Sequence, residues 1–295
     1  MSSMYYILSL GVFGLLFGSF AGASVWRLRA RQLALDAENG EKVSRKDKRQ
    51  VDKLKRGSLA RDRSVCLHCG HQLAWYDLVP LVSWLWLRGK CRYCRHAIGK
   101  SEPMIEATMA VFFVVSYVFW PYQLVTPVEI AQFVIWLLAG VGLAILFVYD
   151  LRWFLLPNAI VFPLIGLGGL YSLTVLAEQQ FAWSQLMSSV YASAILSGLY
   201  YLIYVASRYR WVGFGDVKLG LALALLLADW RLALLTLFLA NLIGTLIYLP
   251  MMAKGSVKRQ THIPFGPFLI SGFILSGIFG TSIIDWYLTI ALGIV

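Results

Sequence analysis

Charged residues are scarce in this chain. They make up 14% of its 295 residues, whereas hydrophobic residues make up 59%. A soluble globular domain carries more charge than this, so the long uncharged apolar runs indicate a protein that crosses a membrane several times. Acidic residues are the rarer sign, at 15 against 26 lysines and arginines. In a membrane protein the retention of positive loops in the cytoplasm explains this excess, and no nucleic-acid partner is needed.

Two further absences narrow the possible functions. The sequence has no His-Glu-x-x-His motif, which excludes the usual helix of a zinc protease. No basic residue precedes the first apolar run, residues 5–26, and Arg27 follows it directly. We therefore expect this run to be an uncleaved membrane anchor with its N-terminus outside, rather than a signal peptide.

The apolar runs predict an all-α integral membrane protein, a bundle of about eight transmembrane helices. Helices are expected because backbone polar groups inside a membrane must be satisfied within each segment, and nothing here alternates like barrel strands. The predicted spans are residues 5–26, 104–122, 130–149, 155–176, 185–206, 217–230, 232–252 and 268–288.

The sixth of these spans is unusually short. Only ten apolar residues separate Lys218 from Asp229. At about 1.5 Å per residue they cannot cross a hydrocarbon layer of about 30 Å. Either the bilayer thins there or the ends of the helix sink into the protein; alternatively, Asp229 and Arg231 form a polar corner and the helix packs inside the bundle.

The distribution of positive charge predicts the orientation in the membrane. Residues 27–100 hold 18 of the 26 lysines and arginines, and only Arg231 would lie in an outside loop. Both termini are therefore expected outside. We divide the chain into a first transmembrane helix (1–26), a cytoplasmic loop (27–103) and a polytopic membrane domain (104–295). The charged segment from Asp36 to Arg63 is interpreted as a solvated linker or a surface helix that contacts anionic lipid headgroups.

The four cysteines form two Cys-x-x-Cys pairs in the cytoplasmic loop. Cys66 and Cys69 are followed, after 21 residues, by Cys91 and Cys94. This spacing lets each pair hold one tetrahedral ion from a tight turn, for which Gly70 supplies backbone freedom, and four ligands make a structural Zn²⁺ site. Two disulfides or free thiols are the alternatives, and the cytoplasm disfavours disulfides. The histidines that could replace a thiolate are His68, His71 and His96.

Two aspartates at the ends of apolar segments suggest a catalytic pair. Asp150 ends the third predicted span and Asp216 opens the sixth, both on the predicted cytoplasmic side. A carboxylate at membrane depth is costly unless it is paired, hydrated or functional. Two that meet could act as the general base and the general acid of an aspartic protease. Alternatively, each anchors the topology or pairs with Arg152 or Lys218.

The glycines around Asp216 strengthen the interpretation of Asp216 as a functional residue. They lie in Gly213-Phe214-Gly215-Asp216. Gly213 and Gly215 are expected to adopt backbone conformations closed to other residues and to leave room for a substrate strand. A helix that begins here would favour the ionised form of Asp216.

In combination, these and other motifs resemble the type IV prepilin peptidases, which are membrane aspartic proteases of the Gly-x-Gly-Asp type. The resemblance covers most of the chain. It rests on the four cysteines and on Gly18-Ser19-Phe20, Asp77 to Trp84, Arg88-Gly89-Lys90, Pro103 with Glu106, Asp150 with Leu156-Pro157-Asn158, Gly213 to Leu219, and Ile263 to Phe268.

The resemblance implies removal of the leader peptide from type IV prepilins and pilin-like precursors at the cytoplasmic face of the inner membrane. Asp150 and Asp216 would be catalytic, with Gly213, Gly215 and Lys218 supporting the substrate and the loop. Many members also methylate the new N-terminus with S-adenosylmethionine. Here Ala21-Gly22-Ala23 stands where the family usually has Leu-Asn-Val, so a peptidase alone and a bifunctional enzyme both remain open.

Two other classes of function compete with the peptidase. A transporter would use the same carboxylates as a proton relay. A membrane-tethered zinc module that binds partners would need neither aspartate. The loss of cleavage on replacing an aspartate distinguishes the peptidase from both.

Overall fold

The computed structural model describes residues 2–40, 63–255 and 263–293, together with Lys48, Val51 and Leu54. These residues are mostly helical and include no strand beyond isolated bridges. The helices are α1 (Ser2–Glu38), α2 (Val82–Trp86), α3 (Ser101–Val118), α4 (Pro127–Trp153), α5 (Asn158–Glu178), α6 (Trp183–Ala206), α7 (Phe214–Leu227), α8 (Trp230–Ala253) and α9 (Gly266–Leu292).

Seven helices in the described ranges are long and apolar enough to cross a membrane. They are α1, α3, α4, α5, α6, α8 and α9, which confirms the prediction of an all-α integral membrane protein. The remaining predicted span, the sixth, corresponds to α7, a helix of only 14 residues. At about 1.5 Å per residue it is about 21 Å long, well short of the hydrocarbon layer.

The first of two compact units comprises Met1–Val118 and contains α1, α2 and α3. A Cβ at Gly14 or Gly18 would lie 2.6 Å from a backbone atom of α3, so both glycines are needed for the close approach of the two helices. Helix α1 continues to Glu38, beyond the predicted end of the first span at residue 26, because apolar side chains such as Leu28 and Leu33 remain buried. The predicted linker from Asp36 to Arg63 lies largely outside the described residues.

The second unit comprises Phe119–Val295 and contains α4 to α9. Helix α4 begins with a capping box in which the Thr126 hydroxyl accepts from the Glu129 N–H and the Glu129 carboxylate accepts from the Thr126 N–H. Helix α7 lies inside this unit and contacts α5, α6, α8 and α9. Its apolar residues are therefore buried by protein.

Helix α7 is held by close packing and by polar side chains of its neighbours. The Ser172 hydroxyl donates to the Leu225 carbonyl at 2.6 Å, and the Ser197 hydroxyl donates to the Val217 carbonyl at 2.9 Å. A Cβ at Gly168 would lie 2.8 Å from the Leu225 side chain, so only glycine fits there. At a turn of π-helix, Ala194–Gly198, the backbone of α6 lies against Gly220 of α7, so these two helices also pack closely.

The C-terminal end of α7 turns sharply into α8. Ala228 takes a left-handed conformation, with φ 51°, and Asp229 caps α8 by accepting from the Arg231 N–H at 2.7 Å. The Asp229 carboxylate also pairs with the Arg231 guanidinium at 3.0 Å. Of the alternatives set out above, the structure shows the polar corner and the short helix packed within its unit.

Candidate active site

Asp150 lies in the last turn of α4 and is 5% exposed. The helix ends at Phe154, whose left-handed conformation lets its N–H donate to the Asp150 carbonyl at 2.9 Å. The Asp150 side chain accepts a hydrogen bond at Oδ2 from the backbone N–H of Gly266, at 3.1 Å. The carboxylate is therefore fixed against the first residue of α9.

At position 266, glycine is the only residue type that permits this contact without a displacement. A Cβ at position 266 would lie 2.7 Å from Oδ2 of Asp150, which is closer than a carbon and an oxygen can approach. The absence of a side chain therefore lets the backbone N–H reach the carboxylate. Gly266 has no role that its local sequence indicates; its only signal is its place in the Ile263–Phe268 motif.

Asp216 is the third residue of α7 and is partly exposed. Its Oδ2 accepts from the N–H of Gly213 at 3.3 Å, which ties the carboxylate to the start of its own helix. The predicted position of Asp216 at a helix N-terminus is thus the observed one. The positive end of the helix dipole lies beside the carboxylate and favours its charged form.

The expected conformational role of the two glycines before Asp216 is wrong. Gly213 has φ −77°, and Gly215 is not among the residues with positive φ, so other residues could adopt both backbone conformations. Gly215 is instead needed for close approach, because a Cβ there would lie 3.1 Å from the Leu156 Cβ. Gly213 is exposed, and a Cβ there would sit 3.5 Å from Asp216 Oδ2.

The structure brings Asp150 and Asp216 close enough for their charges to interact. Leu156 contacts both Gly215, which precedes Asp216, and Gly266, which bonds to Asp150. A Cβ at these glycines would lie 3.1 and 3.6 Å from its side chain. Two carboxylates from different helices therefore share one site, at the ends of α4 and α7. Such a pair can divide one proton between its members, as acid and base chemistry at a peptide bond requires.

Lys218 lies two residues after Asp216 in α7. Its ammonium donates a hydrogen bond to the side-chain oxygen of Asn158, at the start of α5. It also lies 5.3 Å from the ring centre of Phe214 and 5.6 Å from that of Phe162. Lys218 therefore links the beginnings of α5 and α7.

Tyr200 is a residue that the sequence analysis missed. It lies in α6, is 5% exposed, and its hydroxyl is within electrostatic range of Asp216. Its ring packs against Phe265 with centres 5.4 Å apart. Nothing in the sequence marks it as functional, because a tyrosine in an apolar run is usually a packing residue.

In the first unit, the four cysteines form a separate cluster. Their sulfur atoms lie within 4.8 Å of one another, all four are free thiols, and Cys66 and Cys94 are 3.9 Å apart. An ion with metal–sulfur distances of about 2.3 Å in tetrahedral geometry needs sulfurs about 3.8 Å apart. The cluster therefore fits such a metal.

Each cysteine pair lies in a tight turn of the same design. The Gly70 N–H donates to the Cys66 carbonyl at 2.8 Å, and the Arg95 N–H donates to the Cys91 carbonyl at 3.0 Å. Gly70 has φ 74°, which confirms its predicted role in the first turn. Outside the thiol cluster, the rings of His68 and His96 stack on each other at 3.9 Å.

Asp77 joins the segment between the cysteine pairs to the second pair. Its carboxylate pairs with the Arg92 guanidinium at 2.7 Å and accepts from the Tyr93 hydroxyl at 3.2 Å. Burial disfavours the charged form, but hydrogen bonds from Arg92, from the Ala74 N–H and from Tyr93 outweigh it and lower the pKa of Asp77. This charged contact supports the fold around the cysteine cluster.

A membrane aspartic peptidase requires two neighbouring acids at the ends of helices within a helical membrane domain. The fold and the paired carboxylates of this protein match that class. Comparison with known proteins agrees with it. A bacterial peptidase A24 N-terminal domain matches residues 12–120, and the type IV leader peptidase family matches residues 136–249.

Relatives match nearly the whole chain. Three of them, each named prepilin leader peptidase/N-methyltransferase, come from Stutzerimonas stutzeri, Aeromonas salmonicida and Pectobacterium carotovorum. The first is 29% identical, and the match covers 97% of this chain and 95% of the relative. The second is 30% identical, with 94% of this chain and 92% of the relative covered. The third is 30% identical, with 92% of this chain and 91% of the relative covered. The chain belongs to the prepilin leader peptidase family. No solved structure matches it significantly.

Proposed function

We propose that this protein is a membrane-embedded aspartic endopeptidase that removes the leader peptide from type IV prepilins and pilin-like precursors. The observation that carries the proposal is the meeting of Asp150 and Asp216 in one site. Family membership and the names of the relatives supply the substrate class.

The reaction uses one charged and one protonated carboxyl group. The charged carboxylate takes a proton from water, whose oxygen attacks the carbonyl carbon of the scissile peptide bond. The protonated carboxyl gives its proton to the carbonyl oxygen, which forms a tetrahedral diol. Collapse of the diol breaks the C–N bond as the amide nitrogen takes a proton, leaving a carboxylic acid and an amine.

Neighbouring groups favour different protonation states of the two acids, which supports this division of labour. Asp216 lies at the N-terminus of α7, where the helix dipole favours the carboxylate. Asp150 is the more deeply buried residue and accepts a single backbone hydrogen bond from Gly266. We assign the general base to Asp216 and the initial proton donor to Asp150. Gly213, Gly215 and Lys218 support the loop and the substrate beside them.

We further propose that the site faces the cytoplasm, with the protein in the inner membrane, both termini outside and residues 27–103 in the cytoplasm. The distribution of lysines and arginines supports this orientation, since residues 27–100 carry 18 of the 26. The length and apolar composition of the seven long helices support a position in the bilayer, where they would contact membrane lipids. Nucleic acid has no role in this function.

The metal that the cysteine cluster would hold is Zn²⁺. Cys66, Cys69, Cys91 and Cys94 supply four thiols, and with no ligand position left for water the ion would be structural. Bound zinc would link the two tight turns and stabilise the loop.

N-methylation of the new N-terminus is a second activity, supported by the full names of the relatives. S-adenosylmethionine would supply the methyl group. The chain has no glycine-rich nucleotide-binding motif that would hold this cofactor, and we assign no residue to it. The mass of the processed pilin tests the activity, since methylation adds about 14 Da to the product of hydrolysis alone.

The decisive experiment is cleavage of a co-expressed prepilin by wild type, Asp150→Asn and Asp216→Asn at matched membrane abundance. Asparagine keeps the size of the side chain but cannot hold or release the proton, so we expect both variants to lose cleavage. Asp285→Asn, at an exposed position in α9, is the matched control and should cleave normally. Full cleavage by Asp216→Asn would refute the aspartic mechanism and favour a transporter or a partner-binding zinc module.

A further inference from the structure

The buried hydroxyl of Tyr200 is a polar group without a partner. The side chain is 5% exposed, and its oxygen makes no hydrogen bond with any described part of the chain. An unsatisfied buried hydroxyl lowers stability, so its presence calls for an explanation. Phenylalanine would fill the same space without that cost.

The position of Tyr200 connects it to both halves of the active site. Its ring packs on Phe265, the residue before the Gly266 N–H that holds Asp150. Its hydroxyl is within electrostatic range of Asp216 but makes no direct hydrogen bond to it. The hydroxyl is therefore buried near Asp216 and close to the segment that holds Asp150, without a hydrogen bond to either carboxylate.

The surrounding structure fixes Tyr200 in this place. It lies two residues after the π-helical turn at Ala194–Gly198, where the backbone of α6 packs closely against Gly220 of α7. The next residue, Tyr201, is 49% exposed, and Tyr204 packs against Phe214. In this part of α6, Tyr200 alone combines burial with proximity to an aspartate.

We propose that the Tyr200 hydroxyl donates a hydrogen bond to the substrate oxygen that becomes part of the tetrahedral diol. The inference rests on the proposed peptidase function and adds a third polar group to the reaction. No proton is transferred from the tyrosine; the bond strengthens as the carbonyl oxygen gains negative charge, which lowers the barrier to attack by water. In the free enzyme this donor has no partner among the described residues, and the bound peptide supplies one.

The test compares Tyr200→Phe with the neighbouring Tyr201→Phe in the purified full-length enzyme, reconstituted in lipid nanodiscs with a full-length prepilin. Removing one such donor costs about 10²–10³-fold in kcat. We expect Tyr200→Phe to show this loss with KM within about twofold of wild type, because the bond is strongest in the transition state. Tyr201→Phe should match wild type.

Thermal stability distinguishes this role from a structural one. Tyr200→Phe keeps the ring against Phe265 and removes an unpaired polar atom, so its Tm should equal or exceed that of wild type. A fall in kcat with an unchanged or raised Tm supports the proposal. A kcat within threefold of wild type, a change in KM alone, or a parallel fall in kcat and Tm would overturn it.

Two additional enzymes complete the design. Incorporation of 3-fluorotyrosine at position 200 keeps the donor, so it should retain most of the activity even if Tyr200→Phe does not accumulate; a loss as large as that of Asp216→Asn would contradict the proposal. Asp216→Asn in the same assay separates the two ideas. If it cleaves normally, the peptidase function fails; if it is inactive while Tyr200→Phe is normal, only the role of Tyr200 fails.

Discussion

Replacing Gly266 by alanine would test how the position of Asp150 is set. The added methyl group would lie 2.7 Å from Oδ2 of Asp150 and 3.4 Å from Cγ. Ordinary contact begins near 3.4 Å, so the carboxylate oxygen or α9 must move by about 0.7 Å. That movement lengthens or breaks the 3.1 Å hydrogen bond from the Gly266 N–H.

The expected loss of activity follows from the displacement. A misplacement of about 1 Å in an active site can lower the rate about 100-fold, so we expect kcat to fall about 30- to 100-fold. Loss of the hydrogen bond itself, to a carboxyl group that is protonated at the start of the reaction, accounts for about 0.5–1.5 kcal/mol of this, a factor of about 2 to 12, and the misplacement of Asp150 accounts for the rest. Without steric overlap the change would be harmless, since alanine favours a helix by about 1 kcal/mol over glycine.

Leader cleavage measured with increasing prepilin, for enzyme in nanodiscs, gives kcat and KM separately. Gly169→Ala is the matched control, because a Cβ at this glycine of α5 would have no neighbour within 4 Å. It should leave kcat unchanged. Gly266→Ala with a kcat within twofold of wild type would show that the position of Asp150 does not depend on the close approach of α9.

Three further predictions concern the cysteine cluster with the residues around it, and the packing of α7. One zinc per chain should be found by elemental analysis, and Cys69→Ser or a strong chelator should lower it and make residues 63–100 sensitive to protease; full resistance without metal would contradict a structural site. Asp77→Asn should destabilise the same region at neutral pH. Because the pKa of Asp77 is lowered in the folded protein, its contribution is present above the ordinary value of 3.8 and is lost as the pH falls through the lower folded value, so protease resistance of wild type and variant should converge in acid. Gly168→Val should cost about 1–3 kcal/mol by forcing α5 from α7, whereas Gly169→Val should cost less, and equal thermal shifts would refute this packing.

The sequence was sufficient to predict the features that depend on local composition. Apolar runs indicated eight membrane spans, and in the described residues seven of these are helices long enough to cross a membrane. The charges at Asp229 and Arg231 indicated the corner after α7. The cysteine spacing predicted the cluster, because two short turns determine most of its geometry. The helix boundaries were less accurate, since α1 continues as long as its apolar face finds a partner in its own unit.

The contacts around the candidate site could not be predicted in this way. Gly266 lies 116 residues from Asp150, and nothing in either local sequence indicates that one bonds to the other. The same is true of Tyr200, whose role depends on the place where α6 meets α7. The conformation of the glycines before Asp216 was mispredicted because close packing and unusual backbone angles both favour glycine, and only the structure distinguishes them.

Helix α7 is buried on several sides. The rotational orientation of this helix about its axis, rather than its length, therefore determines where the Asp216 carboxylate lies. Asp216 lies four residues before Gly220, whose lack of a side chain admits the backbone of α6. Inserting one residue between them would turn the carboxylate by about 100° relative to the packed face while lengthening the helix by only about 1.5 Å. The number of residues between Asp216 and Gly220 thus determines the direction of the carboxylate relative to the packed face of α7. Substitutions between them preserve this direction, and a single insertion changes it.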